Sequence, residues 1–185
     1  MKTDLRKGKI LVAEPFMGDP HFRRSVISIC DHSRDEGTIG FILNKVLAKR
    51  INEVIEDFPE FEAPIFYGGP VAPDNIFYIH NVGELLEDSI EVMSGLYWGG
   101  NYEKLKFLIT SKLITEANIR FFVGYSGWSP GQLEAELNTG SWVVGDMHPN
   151  YAFKTKHKSL WKQVLKNKGN TYTVIAQMPD NMNLN

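Results

Sequence analysis

Arg120-Phe121-Phe122-Val123-Gly124-Tyr125-Ser126-Gly127-Trp128-Ser129-Pro130-Gly131-Gln132-Leu133-Glu134 is the stretch on which the reading of this chain turns. Its first part, 120–125, is aromatic and β-branched enough to form a strand. Three glycines then interrupt the pattern. Ser129-Pro130-Gly131-Gln132 next supplies an N-cap hydroxyl, a proline at the first helical position and a reciprocal capping-box glutamine, with Leu133 and Leu137 as the buried stripe. The block predicts a strand, a glycine-rich bend and a capped helix. Such a helix start points free N–H groups and partial positive charge at the bend, which suits an anion. The bend has neither the Lys-Ser/Thr of a P-loop nor the spacing of a dinucleotide fingerprint. A nucleophile elbow needs glycine at position 128, which is Trp128. The plainer reading is that the glycines permit a tight turn and Trp128 plugs it.

Outward from this block, strand-like segments rich in Val, Ile, Phe and Tyr fall at 10–13, 26–31, 38–44, 65–67, 76–80, 90–98, 141–144 and 171–176. Helical signals lie between them. Asn52 is placed to cap a short helix stopped by Pro59, and Asn101 to cap one marked by Leu105, Leu108, Ile109 and Lys112. A last helix at about 156–168 puts Leu160, Trp161, Val164 and Leu165 on one face and ends in lysine before Gly169. Helices between strands of mixed connection length predict an α/β (α+β) fold: one compact domain over 1–185 with a mixed sheet flanked by helices. The polar end, about 179–185, reads as a short flexible tail.

A length of 185 residues suits one domain and one core, without disulfides or a structural metal. Lys and Arg number 20 against 22 Asp and Glu, so the chain carries a formal net charge of −2, where a whole-surface nucleic-acid binder is normally basic. Cys30 is the sole cysteine, which excludes an intrachain disulfide and fits a cytoplasmic location. No apolar run has the length of a membrane span. The five histidines are dispersed without zinc-motif companions, and the chain suggests neither a metal nor a cofactor.

Two further segments can carry chemistry. Glu14-Pro15-Phe16-Met17-Gly18-Asp19-Pro20-His21-Phe22-Arg23-Arg24-Ser25 is a loop between strands in which Arg23 and Arg24 can grip a carboxylate or phosphate; in the plainer reading Asp19 neutralises the arginines and fixes the loop. In the following strand Cys30 and His32 fall on one face, so a thiol activated by imidazole is conceivable. Their spacing is too long for an activating contact, and a buried, inert cysteine is the simpler reading. The lysines at 158, 162 and 166 read as the solvated side of the last helix, and direct nucleic-acid binding there is disfavoured without a helix-turn-helix signal.

Six blocks, taken in order, carry a family resemblance: Gly8-Lys9-Ile10-Leu11-Val12-Ala13 with Pro15, Asp19-Pro20-His21-Phe22-Arg23-Arg24-Ser25-Val26, Gly40-Phe41-Ile42-Leu43-Asn44-Lys45, Tyr67-Gly68-Gly69-Pro70-Val71, Gly95-Leu96-Tyr97, and Gly124 to Glu134. Their order and spacing resemble the bacterial YqgE/AlgH family over nearly the whole chain. The resemblance implies a cytoplasmic protein with a mixed sheet and flanking helices, and a name linked to transcriptional regulation of alginate production. It implies no catalytic residues. Val46 stands where relatives often have proline. The resulting expectation is a non-enzymatic regulatory domain that binds an unidentified small anionic ligand or a protein partner, acting indirectly on transcription. Arg23, Arg24, Asn44, Ser126, Trp128, Ser129 and Gln132 are the candidate contacts. The alternative is a thiol-dependent redox sensor or enzyme using Cys30.

Overall fold

Burial along β1 (Lys9–Ala13) shows how the sequence makes a two-sided sheet: Ile10 and Val12 enter one hydrophobic cluster, Leu11 and Ala13 another. The computed structural model describes residues 4–177, so the expected tail at 179–185 lies outside the described residues. The remaining strands are β2 (Val26–Ser33), β3 (Gly37–Ile42), β4 (Val46–Arg50), β5 (Pro64–Tyr67), β6 (Val71–His80), β7 (Ile90–Met93), β8 (Leu96–Trp98), β9 (Ile119–Trp128) and β10 (Trp142–Asp146). The helices are α1 (Tyr102–Thr110), α2 (Gln132–Asn138), α3 (Pro149–Phe153), α4 (His157–Asn167) and α5 (Asn170–Ala176). The strands join in the order β10-β1-β2-β3-β9-β6-β8-β7, with β5 between β4 and β9. Every pairing is antiparallel except β5 with β9, which makes the sheet mixed as expected.

One face of the sheet packs Phe41, Phe66, Phe122 and Ile79 against Ala152 of α3, against Leu160, Trp161, Val164 and Leu165 of α4, and against Ala176 of α5. The opposite face is divided. Leu133 of α2 covers Leu11, Ile27, Ile42, Trp128 and Trp142, while α1 lays Leu105, Leu108 and Ile109 over Ile65, Ile119 and Phe121. The sheet also curls, bringing Lys7 Nζ within 2.9 Å of the Glu91 carbonyl of β7.

β9 has a different partner on each edge. On one edge it bonds β6; on the other it bonds β5 through Phe121 to Val123 and then β3 through Ser126 to Trp128. The chain must therefore cross β9 to pass from β5 to β6, and Gly68-Gly69-Pro70 is that crossing. A Cβ on Gly68 would lie 2.2 Å from the Gly124 oxygen, and one on Gly124 would lie 2.4 Å from the Gly69 oxygen. Two backbones touch here with no room for a side chain. Gly124 also has φ +66, which favours glycine independently. The crossing is tied down by Gly68 N–H to Val123 O at 2.8 Å, Ile42 N–H to Gly68 O at 3.0 Å, and Ser126 Oγ–H to Gly68 O at 2.9 Å.

Several sequence expectations need correction. The residues expected to form a glycine-rich bend are strand as far as Trp128, because Gly124 serves the crossing and not a turn. The segment 90–98 is two strands broken at Ser94-Gly95, where Gly95 has φ +77. Asn52 caps no α-helix. Ile51–Glu53 is a single 3-10 turn, and the Asn52 amide instead spans a loop, donating to Phe58 O and Pro59 O and accepting from Phe61 N–H. The expected strand at 171–176 is α5, which packs Tyr172 and Ala176 against the core. The Asn101 cap stands as read, its Oδ1 accepting from Lys104 N–H at 2.9 Å.

Candidate functional site

The loop between β1 and β2 is shaped by its own polar groups. Asp19 Oδ1 accepts from His21 N–H at 2.8 Å, and the Asp19 carbonyl accepts from Phe22 and Arg23 N–H. Asn44, just past β3, pins the loop's end: Oδ1 accepts from Val26 N–H at 2.9 Å and Nδ2 donates to Arg24 O at 2.8 Å. Both ends of the Asn44 amide are thus occupied by backbone, and its role is structural. Lys45 next to it donates to Pro20 O at 2.9 Å and His21 O at 2.7 Å. Tyr67, from the end of β5, stacks on His21 with ring centroids 5.8 Å apart, its hydroxyl 2.6 Å from Nδ1. Three of the six sequence blocks meet at this shelf.

Its electrostatics are set by partial burial. Desolvation lowers the Lys45 pKa from its ordinary value, opposed by the negative charge of Asp19. Burial, helped by the same charge, raises that of Tyr67. The outcome is a shelf with a partly desolvated ammonium beside a hydrogen-bonded phenol–imidazole pair.

The second expected segment lies beside the first. Phe22 of the loop stacks on Trp128 at 6.2 Å and meets Trp142 edge-on at 5.5 Å. The space between the segments is filled by these rings, with Trp128 only 5% exposed; it packs against the loop from the end of β9 and plugs no glycine turn. Both indole N–H groups donate to one oxygen of Glu136, Trp128 at 3.0 Å and Trp142 at 2.7 Å. Gln132 Nε2 donates to the other Glu136 oxygen at 3.0 Å, and Gln132 Oε1 accepts from Ser129 N–H at 3.0 Å. That last bond is one half of the expected capping box. However, α2 begins at Gln132, after Gly131 in left-handed backbone at φ 79, and Ser129 contributes no side-chain cap. Ser129 and Gln132 are exposed, whereas Ser126 is fully buried and bonded to Gly68. Of the residues proposed from sequence, Arg23 and Arg24 lie in the loop and Asn44 pins it from the end of β3, while from the later segment Trp128 meets the loop through Phe22. Sequence reasoning missed His21, Lys45 and Tyr67 as contacts although all three stand in the quoted blocks; no local spacing connects positions 21, 45 and 67.

Cys30 lies in the core, 0% exposed, with its thiol pushed up to about 12 by burial and its Sγ–H 3.7 Å from Ser28 O. A bulge between Ile29 and Asp31 changes the register, so His32 turns to Thr38 Oγ1 at 2.8 Å instead of sharing the Cys30 face. A reactive thiol needs exposure and a depressed pKa, and Cys30 has neither. Lys158, Lys162 and Lys166 line the solvated side of α4. Among the described residues no group of three or more His, Cys, Asp or Glu is placed to hold a metal ion, and no helix is long and apolar enough to cross a membrane.

With this geometry in place, comparison with known proteins settles the family. The AlgH-like family model matches residues 10–173. The chain belongs to the AlgH-like family. A UPF0301 protein of Cytophaga hutchinsonii is 43% identical over 182 residues, covering 98% of this chain and all of that one. Another, from Chlorobaculum tepidum, is 40% identical over 176 residues, covering 95% of this chain and 94% of the relative. The solution structure of AlgH from Pseudomonas aeruginosa superposes with a TM-score of 0.72 at 27% identity, over 97% of this chain and 99% of that one. The crystal structure of protein DIP2367 from Corynebacterium diphtheriae shares the fold, with a TM-score of 0.79 at 21% identity over 96% of this chain and 95% of that one.

Proposed function

We propose that this AlgH-like protein is a non-enzymatic regulatory domain that binds a small anionic ligand, or the acidic group of a protein partner, at the shelf of His21, Lys45 and Tyr67. The carrying observation is the Lys45 ammonium. It is partly desolvated, directs two hydrogens at loop carbonyls, and forms no ion pair with any described residue. An ammonium fixed in this way is pre-organised to present its remaining hydrogen to an anion, which lowers the ordering cost of binding. The hydrogen-bonded Tyr67–His21 pair adds one further donor beside it. The enzyme alternative rested on Cys30 and gains no support from a thiol held in the core. The regulatory part of the proposal derives from the family name, and with no helix-turn-helix signal read in the sequence the proposed action on transcription runs through a partner.

A thermal-shift screen of small carboxylates and phosphate esters tests this reading. A ligand at about 100 times its Kd stabilises the folded state by about 2.7 kcal/mol. The expected result is a concentration-dependent rise in melting temperature in the native protein that Lys45→Met abolishes. No stabilisation by any anion, or equal stabilisation of Lys45→Met, refutes the assignment.

A further inference from the structure

On the helical face of the sheet, away from that shelf, a guanidinium and an imidazole meet one aromatic ring. The Arg120 guanidinium, on β9, lies 4.2 Å from the centroid of Phe66 and donates from Nη1 to Leu43 O at 2.9 Å. His157, the first residue of α4, meets the same ring edge-on at 5.8 Å. Among the described residues, neither has a carboxylate partner. His157 Nε2 is buried and has no hydrogen-bond partner. Burial pushes the Arg120 pKa down to about 10, and the nearby Arg120 charge joins burial in lowering that of His157. An arginine without a counter-charge and an unpartnered imidazole nitrogen against the same ring mark a place where an anion would relieve both. Lys156 at the helix start supplies no side-chain cap, and Lys158 adds to the positive field. Arg24, which has further interactions of its own, stacks on Trp161 one turn along α4 at 4.9 Å.

We propose that Arg120 and His157 form a binding site for a phosphate group, separate from the Lys45 shelf, at the junction of β9, β5 and the start of α4. Arg120 contributes N–H donors that Leu43 O does not use, with Phe66 holding the guanidinium plane; His157 contributes Nε2–H in its neutral form. The guanidinium fork and the imidazole N–H together match the several acceptor oxygens of a phosphate.

Titrating the full chain with inorganic phosphate, while following the imidazole nitrogen resonances by NMR, tests the site; His157→Gln assigns the His157 signals. The expected result is a saturable shift of the His157 ring resonances and binding at least about tenfold weaker in Arg120→Met, the loss of one charge-assisted hydrogen bond. If Arg120→Met does not fold, His157→Phe carries the same expectation of weakened binding. Glycerol phosphate binding more tightly than the free ion identifies a phosphorylated small molecule, and equal binding identifies the ion itself. Lys106→Met, on α1 across the sheet, leaves phosphate affinity unchanged. Unmoved His157 resonances, or undiminished affinity in the folded Arg120 or His157 variants, overturns the proposal.

Discussion

Alanine at Gly124 should cost more than at a positive-φ glycine that faces open space, and three variants separate the reasons. Gly131 has φ +79 with nothing within 4 Å of an added Cβ, so Gly131→Ala incurs only the left-handed backbone penalty, about 1–2 kcal/mol. Gly68 has ordinary φ, but its Cβ would lie 2.2 Å from Gly124 O and 3.0 Å from the Phe122 Cβ. Those neighbours are backbone and a fixed Cβ, so Gly68→Ala incurs overpacking alone, about 1–3 kcal/mol or more. Gly124→Ala incurs both, with contacts at 2.4 Å to Gly69 O and 2.8 Å to Val71 O. A loss of about 2–5 kcal/mol is expected, which at about 2–4 °C per kcal/mol for a chain of this size lowers the melting temperature by about 4–20 °C. Urea denaturation of the three variants measures the differences directly. Gly124→Ala costing no more than Gly131→Ala would mean that the two backbones do not touch, and the crossing would have to be redrawn.

Further outcomes follow from the same coordinates. Glu136→Ala orphans two buried indole N–H groups and should destabilise by about 2–4 kcal/mol, whereas Glu136→Gln retains an acceptor and costs less; denaturant midpoints and tryptophan emission report both. Cys30 should react with iodoacetamide at neutral pH only as fast as the protein opens, so native labelling as rapid as that of a free thiol contradicts its burial. Buried His80 accepts from Val82 N–H through Nδ1 and faces Gly99 O through Nε2, and burial lowers its pKa. The unfolded chain therefore binds this proton more readily, so the His80 contribution is present above the unfolded value of about 6.5 and is lost as pH falls through the folded value. His80→Gln should flatten that acid limb of stability against pH; an unchanged slope refutes the assignment.

The parts of the fold legible from sequence are those whose cause is local. Asn101 and the stripe Leu105, Leu108 and Ile109 define α1 within nine residues, and Leu160, Trp161, Val164 and Leu165 define α4 in the same way. The β4 strand was not legible, since it is an exposed edge in which Ala48, Lys49 and Arg50 show no alternation of burial. In α5, Thr171 to Ile175 is a run of high strand propensity, and tertiary packing overrides it. Glycine was the most misleading residue. Gly68, Gly69 and Gly124 look like turn formers in isolation, and only the distant chain passing over them explains why no other residue fits. The candidate site divides along the same line. The Asp19 to Arg24 loop meets Trp128 through Phe22, and the ring contacts occupy the space between the two segments. The shelf residues His21, Lys45 and Tyr67 come from three distant positions that only the β3–β5 neighbourhood brings together.

The most direct measurement of the ligand shelf is a backbone amide NMR titration of the native protein and of Lys45→Met with the best anion from the thermal screen. The account predicts shifts concentrated at residues 19–25, 44–45 and 67 that vanish in Lys45→Met. Shifts centred elsewhere, or persisting unchanged in the variant, would contradict it.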